Sequence, residues 1–392
     1  MRLGPGAMVA AAFIGPGTVT TAASAGATSG AALLWAVAFS VLATLVLQEL
    51  ALRSALVTQR DLAGLMRTIG TGRWWGSWLM LLIMLAIGVG NAAYQSGNLS
   101  GAGLGLQAAF GLPLSLVIAC TALVAGALIY LDSYHVFERV LVSLVALMAL
   151  LFIGLALLLL PAFIALPSAK LWPSFSSQHL TLMLALIGTT VVPYNLFLHA
   201  NAVKLRWAGE SIATALDEAR RESAISILIG GTITAAIVVV AATAIQHSDG
   251  TGIIQALVSA VETQLPGWGR ILVGSGLFAA GITSSITAPL AAGWAVCGAL
   301  GDDRQGLSKW IALVVLVTGT LFALLATRPT VLIIGAQATN ALLLPIIALT
   351  LLHVANSPLL GDYRNRTGTN MLAVTIVVTV TVLALRKIVT LF

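Results

Sequence analysis

The chain has 392 residues, of which 59% are hydrophobic and only 8% charged, with 19 Lys and Arg against 13 Asp and Glu and a formal net charge of +6. An ordinary soluble domain carries about 25% charged residues, so this composition excludes that class and indicates a chain that crosses a membrane repeatedly. The basic balance does not point to a nucleic acid, because no nucleic-acid-binding motif accompanies it.

A transmembrane helix needs about 20 mostly apolar residues. By that measure eleven segments are expected, near 5–29, 31–54, 74–107, 113–131, 136–160, 180–203, 222–246, 268–299, 308–326, 329–353 and 369–391. The reading is an all-α polytopic membrane protein with one membrane domain over 1–392. The first segment has no charged n-region or small-residue cleavage site and leads into a second span, so it is expected to stay in the mature protein. It is interrupted at Gly15-Pro16-Gly17-Thr18. Ahead of the third, the basic stretch Arg60 to Arg73 precedes Trp74, Trp75 and Trp78, which read as interfacial anchors. Cys120 and Cys297 fall within expected spans and read as buried small apolar residues, not as a disulfide or metal ligands. The sixth segment is interrupted at Gly188-Thr189-Thr190-Val191-Val192-Pro193. Lys204 to Glu222 reads as a charged loop of alternating sign. Ile253 to Glu262 is amphipathic and too short to span, so it is expected along the outer surface.

With the N-terminus in the cytoplasm and the spans alternating, one face carries fourteen Lys and Arg and the other five (Lys170, Arg270, Arg328, Arg386 and Lys387). That is the positive-inside pattern. The expected location is a bacterial inner (plasma) membrane, and the expected partners are the lipid bilayer and a small ion or polar solute, with no nucleic acid and no cofactor.

Backbone that leaves a helix inside a bilayer has no water to satisfy it, so it is tolerated where it lines a cavity or meets a ligand. Breaks opening the first and sixth segments suggest a 5+5 inverted repeat, with 1–160 and 180–353 as the repeats and 369–391 as an extra helix. Pro193 suits the first turn of a resumed helix, and restarted helix N-termini attract negative charge. Gly15, Gly17, Thr18, Thr189, Thr190, Val192, Tyr194 and Asn195 are the candidate substrate-binding positions at the breaks. Gln95, Asn98, Thr283 to Thr287, and Gln337 with Asn340 could complete a polar cavity, though each alone reads first as an interhelical hydrogen bond. A simple Gly-Pro kink is the alternative for each break.

Leu3-Gly4-Pro5-Gly6 with Ile14-Gly15-Pro16-Gly17-Thr18, the run Gly188 to His199, Phe137-Glu138-Arg139-Val140, Gly276 to Thr287, and Leu360-Gly361-Asp362-Tyr363-Arg364-Asn365 together resemble the NRAMP (natural resistance-associated macrophage protein) family of metal-ion transporters. The resemblance implies a leucine-transporter-like fold with broken helices 1 and 6. It also implies which positions depart from the family. The first-helix Asp and Asn ligands correspond to Gly15 and Thr18, the Ala carbonyl ligand to Thr189 and the Met thioether to Val192. The third-helix acids associated with proton movement correspond to Gln95 and Asn98, the first sixth-helix His to Tyr194, while His199 and Gln337 are retained. Only Glu49 among the thirteen acids lies clearly within a span, and Arg53 four residues on could pair with it. Tight binding of a dehydrated transition metal needs carboxylate, imidazole or sulfur ligands. The expected function is therefore an NRAMP-like secondary transporter of a small inorganic ion, not a standard proton-coupled Mn²⁺ or Fe²⁺ carrier. A carrier of a small anion or neutral polar solute, or a non-transporting membrane sensor, remains the alternative. No nucleophile, base or ligand cluster suggests an enzyme.

Overall fold

The computed structural model describes residues 5–131, 134–167, 177–245, 252–302, 304–325 and 344–389. Its helices are α1 (Pro5–Phe13), α2 (Pro16–Ser29), α3 (Leu34–Thr58), α4 (Leu62–Gly70), α5 (Gly76–Ile83), α6 (Gly90–Phe110), α7 (Leu114–Leu131), α8 (Tyr134–Leu158) and α9 (Leu160–Ile164). They continue as α10 (Ser177–Thr190), α11 (Pro193–Arg206), α12 (Ile212–Ala244), α13 (Ile253–Gln264), α14 (Gly269–Leu300), α15 (Gln305–Leu325), α16 (Leu344–Ala355) and α17 (Thr367–Val389). One π-turn, Met84–Val89, joins α5 to α6 within a continuous span. Among the described residues, eight helical stretches are long and apolar enough to cross a membrane. The broken first span, α16 and α17 stand at the remaining three expected segments, and the part of the tenth over 329–343 lies outside the described residues.

Both breaks are present. α1 ends at Phe13 and α2 restarts at Pro16, with Gly15 extended at φ −97° and ψ 178°. α10 ends at Thr190 and α11 restarts at Pro193, with Val192 at φ −84° and ψ 122°. The segments pack through small residues, as expected where lipid supplies no hydrophobic force between helices. A Cβ on Gly105 of α6 would lie 2.5 Å from the carbonyl oxygen of Gly274 on α14, and the ring of Pro16 occupies the space a Cβ on Gly101 would take. The first break is thus seated against α6.

Two expectations need correction on the basic face. Lys204 to Glu222 is not a loop: α11 runs to Arg206 and α12 begins at Ile212. Ser211 caps α12, Asp217 and Arg221 pair at 2.9 Å along it, and Ala215, Leu216 and Ala219 pack with Leu52, Leu56, Val203 and Trp207. Capping and a small core therefore extend the helix beyond its apolar run. The loop ahead of the third span likewise contains α4, whose N-terminus Asp61 caps by accepting from Gly64 N at 2.8 Å. Cys120 is exposed on the outer side of peripheral α7, so only Cys297 is buried. Trp74 and Trp78 are exposed, as anchors should be, while Trp75 stacks edge-on against His353. α13 turns Ile254, Leu257 and Val261 inward and packs mainly on α14.

Contacts on the basic face join residues that alternating spans place on one side. Glu49 accepts from Arg53 Nε at 3.0 Å and from Arg220 Nε at 3.1 Å, linking α3 to α12. Arg53 also donates to the Tyr363 carbonyl and to Asn365. Glu222 accepts from Gly6 N at 2.8 Å, tethering the start of α1 to α12, and Arg73 meets His353 at 3.1 Å.

Candidate functional site

The two breaks meet at a cavity of ≈ 10 Å³ lined by Gly15, Thr18, Asn98, Thr189, Val192, Tyr194, Ser284, Tyr94 and the ends of α1. That is the lower limit of the space one water molecule needs. Among the described residues, every side chain around it is neutral. The lining includes hydroxyls, an amide and aromatic rings, with no carboxylate and no sulfur.

A helix end leaves backbone groups without intrahelical partners, and proline sharpens the problem because it has no N–H to give to the carbonyl four residues earlier. Three prolines do this near the site. Pro16 frees the carbonyl of Ala12, which accepts instead from the Tyr194 hydroxyl at 2.9 Å. Pro289, inside α14, frees the carbonyl of Ser285, which accepts from Gln95 Nε2 at 3.0 Å. Pro193 frees the carbonyl of Thr189, and among the described residues no donor replaces it. Among the described residues, the Thr189 carbonyl alone of the three has no replacement donor.

The hydroxyls have a fixed direction. Thr18 Oγ1 donates to the Phe13 carbonyl across the first break, and it lies 2.8 Å from Thr189 Oγ1. A hydroxyl has one proton, so Thr189 is the donor to Thr18. Thr18 thus bridges the end of α1 to the end of α10. Ser284 reaches the Ala11 carbonyl at 3.5 Å, and Asn195 Nδ2 donates to Val9 O at 3.1 Å. The restarted helices are treated differently. Neither α2 nor α11 has a side-chain N-cap, and no described acceptor meets the N–H groups of Gly17, Thr18 or Tyr194. These are the positive ends of two helix dipoles. Asn98 Nδ2, at the cavity, and Asn195 Oδ1 are also buried with no partner among the described residues.

Of the positions singled out from sequence, the structure brings together Gly15, Thr18, Asn98, Thr189, Val192 and Tyr194. It leaves others outside the lining. Thr190 bonds back to Leu186 O at 2.9 Å, Gln95 serves the Ser285 carbonyl, and Asn195 braces α1. Gly17 sits one residue into α2 and contributes only backbone. His199 lies further along α11, its Nδ1 2.9 Å from Gln48 Oε1, so Nδ1 carries the proton. Gln337 and Asn340 lie outside the described residues. Tyr94 was not anticipated; it packs edge-on against Tyr194 at 5.8 Å, and its only sequence signal was adjacency to Gln95. Ser284 stood within the Thr283 to Thr287 run without being distinguished from its neighbours.

A family model described as natural resistance-associated macrophage protein-like matches residues 6–390. A divalent metal cation transporter MntH of Brucella suis is 30% identical over 356 residues, covering 87% of this chain and 75% of that protein. The crystal structure of an Eremococcus coleocola manganese transporter superposes with a TM-score of 0.82 at 22% identity, over 98% of this chain and 85% of that one. Mhp1, a nucleobase-cation-symport-1 family transporter, superposes with a TM-score of 0.63 at 13% identity, over 100% and 94% of the two chains. The architecture is therefore the leucine-transporter-like fold with broken first and sixth spans.

Proposed function

The chain belongs to the natural resistance-associated macrophage protein-like (Nramp) family, and from that premise we propose that it is a multi-pass secondary transporter of a small inorganic ion, working by alternating access around the two helix breaks. Residues 1–160 and 180–353 act as inverted repeats, 369–391 stands outside them, and the N-terminus faces the cytoplasm. The relatives are named for divalent metal cations, and the open carbonyl of Thr189 carries the reading for this chain. Among the described residues it meets no donor, and it lies at the meeting point of both breaks, beside the hydroxyls of Thr18 and Thr189 and the amide of Asn98. Neutral oxygens of this kind suit a cation that keeps part of its water shell. They do not suit a dehydrated transition metal, since Gly15 and Val192 stand where a carboxylate and a thioether are expected, and Gln95 and Asn98 cannot exchange a proton near neutral pH.

A second reading has its own observation. The unpartnered N–H groups of Gly17, Thr18 and Tyr194 at two positive helix ends suit a small anion or a neutral solute that accepts hydrogen bonds. Uptake into liposomes separates the two. Mn²⁺, Mg²⁺, small anions and small polar solutes are each offered with and without a pH gradient. Mg²⁺-type uptake that does not need the gradient supports the first reading, and anion or solute uptake without cation uptake supports the second. No uptake of any of them would leave a sensor and overturn transport.

A further inference from the structure

On the basic face a second cavity, a vestibule of ≈ 530 Å³, opens between α4, α11 and α14, within the size range of small-ligand sites. Arg60, Arg67, Lys204, Arg304 and Lys309 line it, against Asp61 and Asp302. Five cations less two carboxylates give the described lining a formal charge of +3. Both carboxylates are already engaged. Asp61 caps α4 through Gly64 N at 2.8 Å, and Asp302 takes Arg304 Nε at 2.9 Å on each oxygen. The Arg304 guanidinium holds the Asp302 carboxyl down at about 2, so it stays ionised and paired.

Ile129, Leu290 and Trp294 form an apolar wall, and a low-dielectric wall focuses the field of charges beside it. The Arg67 guanidinium lies against Gly301, whose φ of 73° ends α14 and whose missing Cβ makes room for it. A guanidinium fixed in this way presents planar paired donors, the geometry that matches phosphate oxygens. Lys204 adds positive charge from α11, and Arg60, which donates to Thr68 Oγ1 at 2.9 Å, adds it from the residue before α4's cap.

We propose that this vestibule is a binding site for a phosphate-bearing anion, gripped by Arg60, Arg67 and Lys204, whichever solute the helix breaks carry. The chemistry is shared by a free cytoplasmic phosphate compound and by the headgroup of an anionic lipid. Both are tested on the full chain, as parent, as R60Q/K204Q and as R366Q, a cation on the same face outside the vestibule. Inorganic pyrophosphate is titrated calorimetrically at low ionic strength against protein in phosphatidylcholine nanodiscs, and retained phosphatidylglycerol is counted by native mass spectrometry after extraction from mixed bilayers. The expected result is saturable binding in at least one arm, weakened about tenfold in R60Q/K204Q and unchanged in R366Q. Binding of pyrophosphate alone assigns a free anion, and retention of lipid alone assigns a headgroup. Absence of binding in both arms, equal binding by R60Q/K204Q and parent, or an equal loss in R366Q would overturn the proposal.

Discussion

The cavity at the helix breaks and the vestibule on the basic face contrast in both size and charge. The first is ≈ 10 Å³ and lined by neutral groups, while the second is ≈ 530 Å³ and carries a net positive lining. Charge stands where water reaches it and is withheld where it would have to be desolvated. On the proposed reading, selectivity at the breaks comes from the count and direction of hydrogen-bonding groups, because no full charge stands among the described lining residues. Among the described residues, the Thr189 carbonyl and the N–H groups of Gly17, Thr18 and Tyr194 are the groups left over after Thr18, Tyr194, Ser284 and Gln95 have served the rest.

The contrast is broken most strongly by putting charge into the small cavity. A Cβ on Gly15 would lie 2.8 Å from Ser284 Oγ and 3.8 Å from Asn98 Oδ1, so the Cβ of an Asp there meets the serine hydroxyl first and would direct its carboxylate at the small cavity's lining. Gly15→Asp with Val192→Met is expected to change Mn²⁺ binding from no measurable heat to a saturable isotherm by calorimetry. Equal Mn²⁺ binding by the parent would mean that other groups coordinate it.

Removing a neutral group should have a smaller effect. Thr18→Val takes the donor from the Phe13 carbonyl and the acceptor from Thr189 at once, and a buried polar group left unpaired costs about 1–3 kcal/mol. Uptake of the carried solute should fall about tenfold, while Thr28→Val, on the outer end of α2, should leave it unchanged. On the basic face, Glu49→Gln leaves Arg53, with 5% of its side chain exposed, without its carboxylate. The remaining bonds to Tyr363 and Asn365 and the partial exposure of Glu49 moderate the loss. A destabilisation of ~2 kcal/mol, below the range for a fully buried pair, should appear as a lower melting midpoint.

How much of this was legible in the sequence depends on the range of the signal. The breaks were readable because Gly15-Pro16 and Pro193 are local, and the exposure of Trp74 and Trp78 because the basic stretch before them places them at a span end. The helices α4 and the start of α12 were readable in principle, since Asp61 and Ser211 are ordinary N-caps, but charge in these stretches masked the short apolar runs that pack. What could not be read was who serves whom. Gln95 meets a carbonyl freed by Pro289 on a helix 190 residues away, and Tyr194 meets one freed by Pro16 across 182. A pathway role for Gln95 and a binding role for its neighbours look alike until the partner is known. Cys120 failed for the opposite reason, because an apolar peripheral helix faces lipid on one side and periodicity alone does not say which.

The smallest expected effect sharpens the vestibule side. Arg304 depresses the Asp302 carboxyl to about 2 in the folded protein. A depressed carboxyl stabilises the fold above its unfolded value near 4 and loses that contribution only as pH falls through about 2. Pyrophosphate affinity should therefore show no Asp302-dependent step between about pH 5 and 8, as measured by comparing parent and Asp302→Asn titrations across that window.

The central claim is that a fold shared with metal transporters here holds a site whose described lining is neutral. Its most direct test is Mn²⁺ uptake into protein-containing liposomes with and without an inward proton gradient. Uptake no faster than in protein-free liposomes, with no response to the gradient, is the expected result; saturable Mn²⁺ uptake accelerated by the gradient would contradict the account.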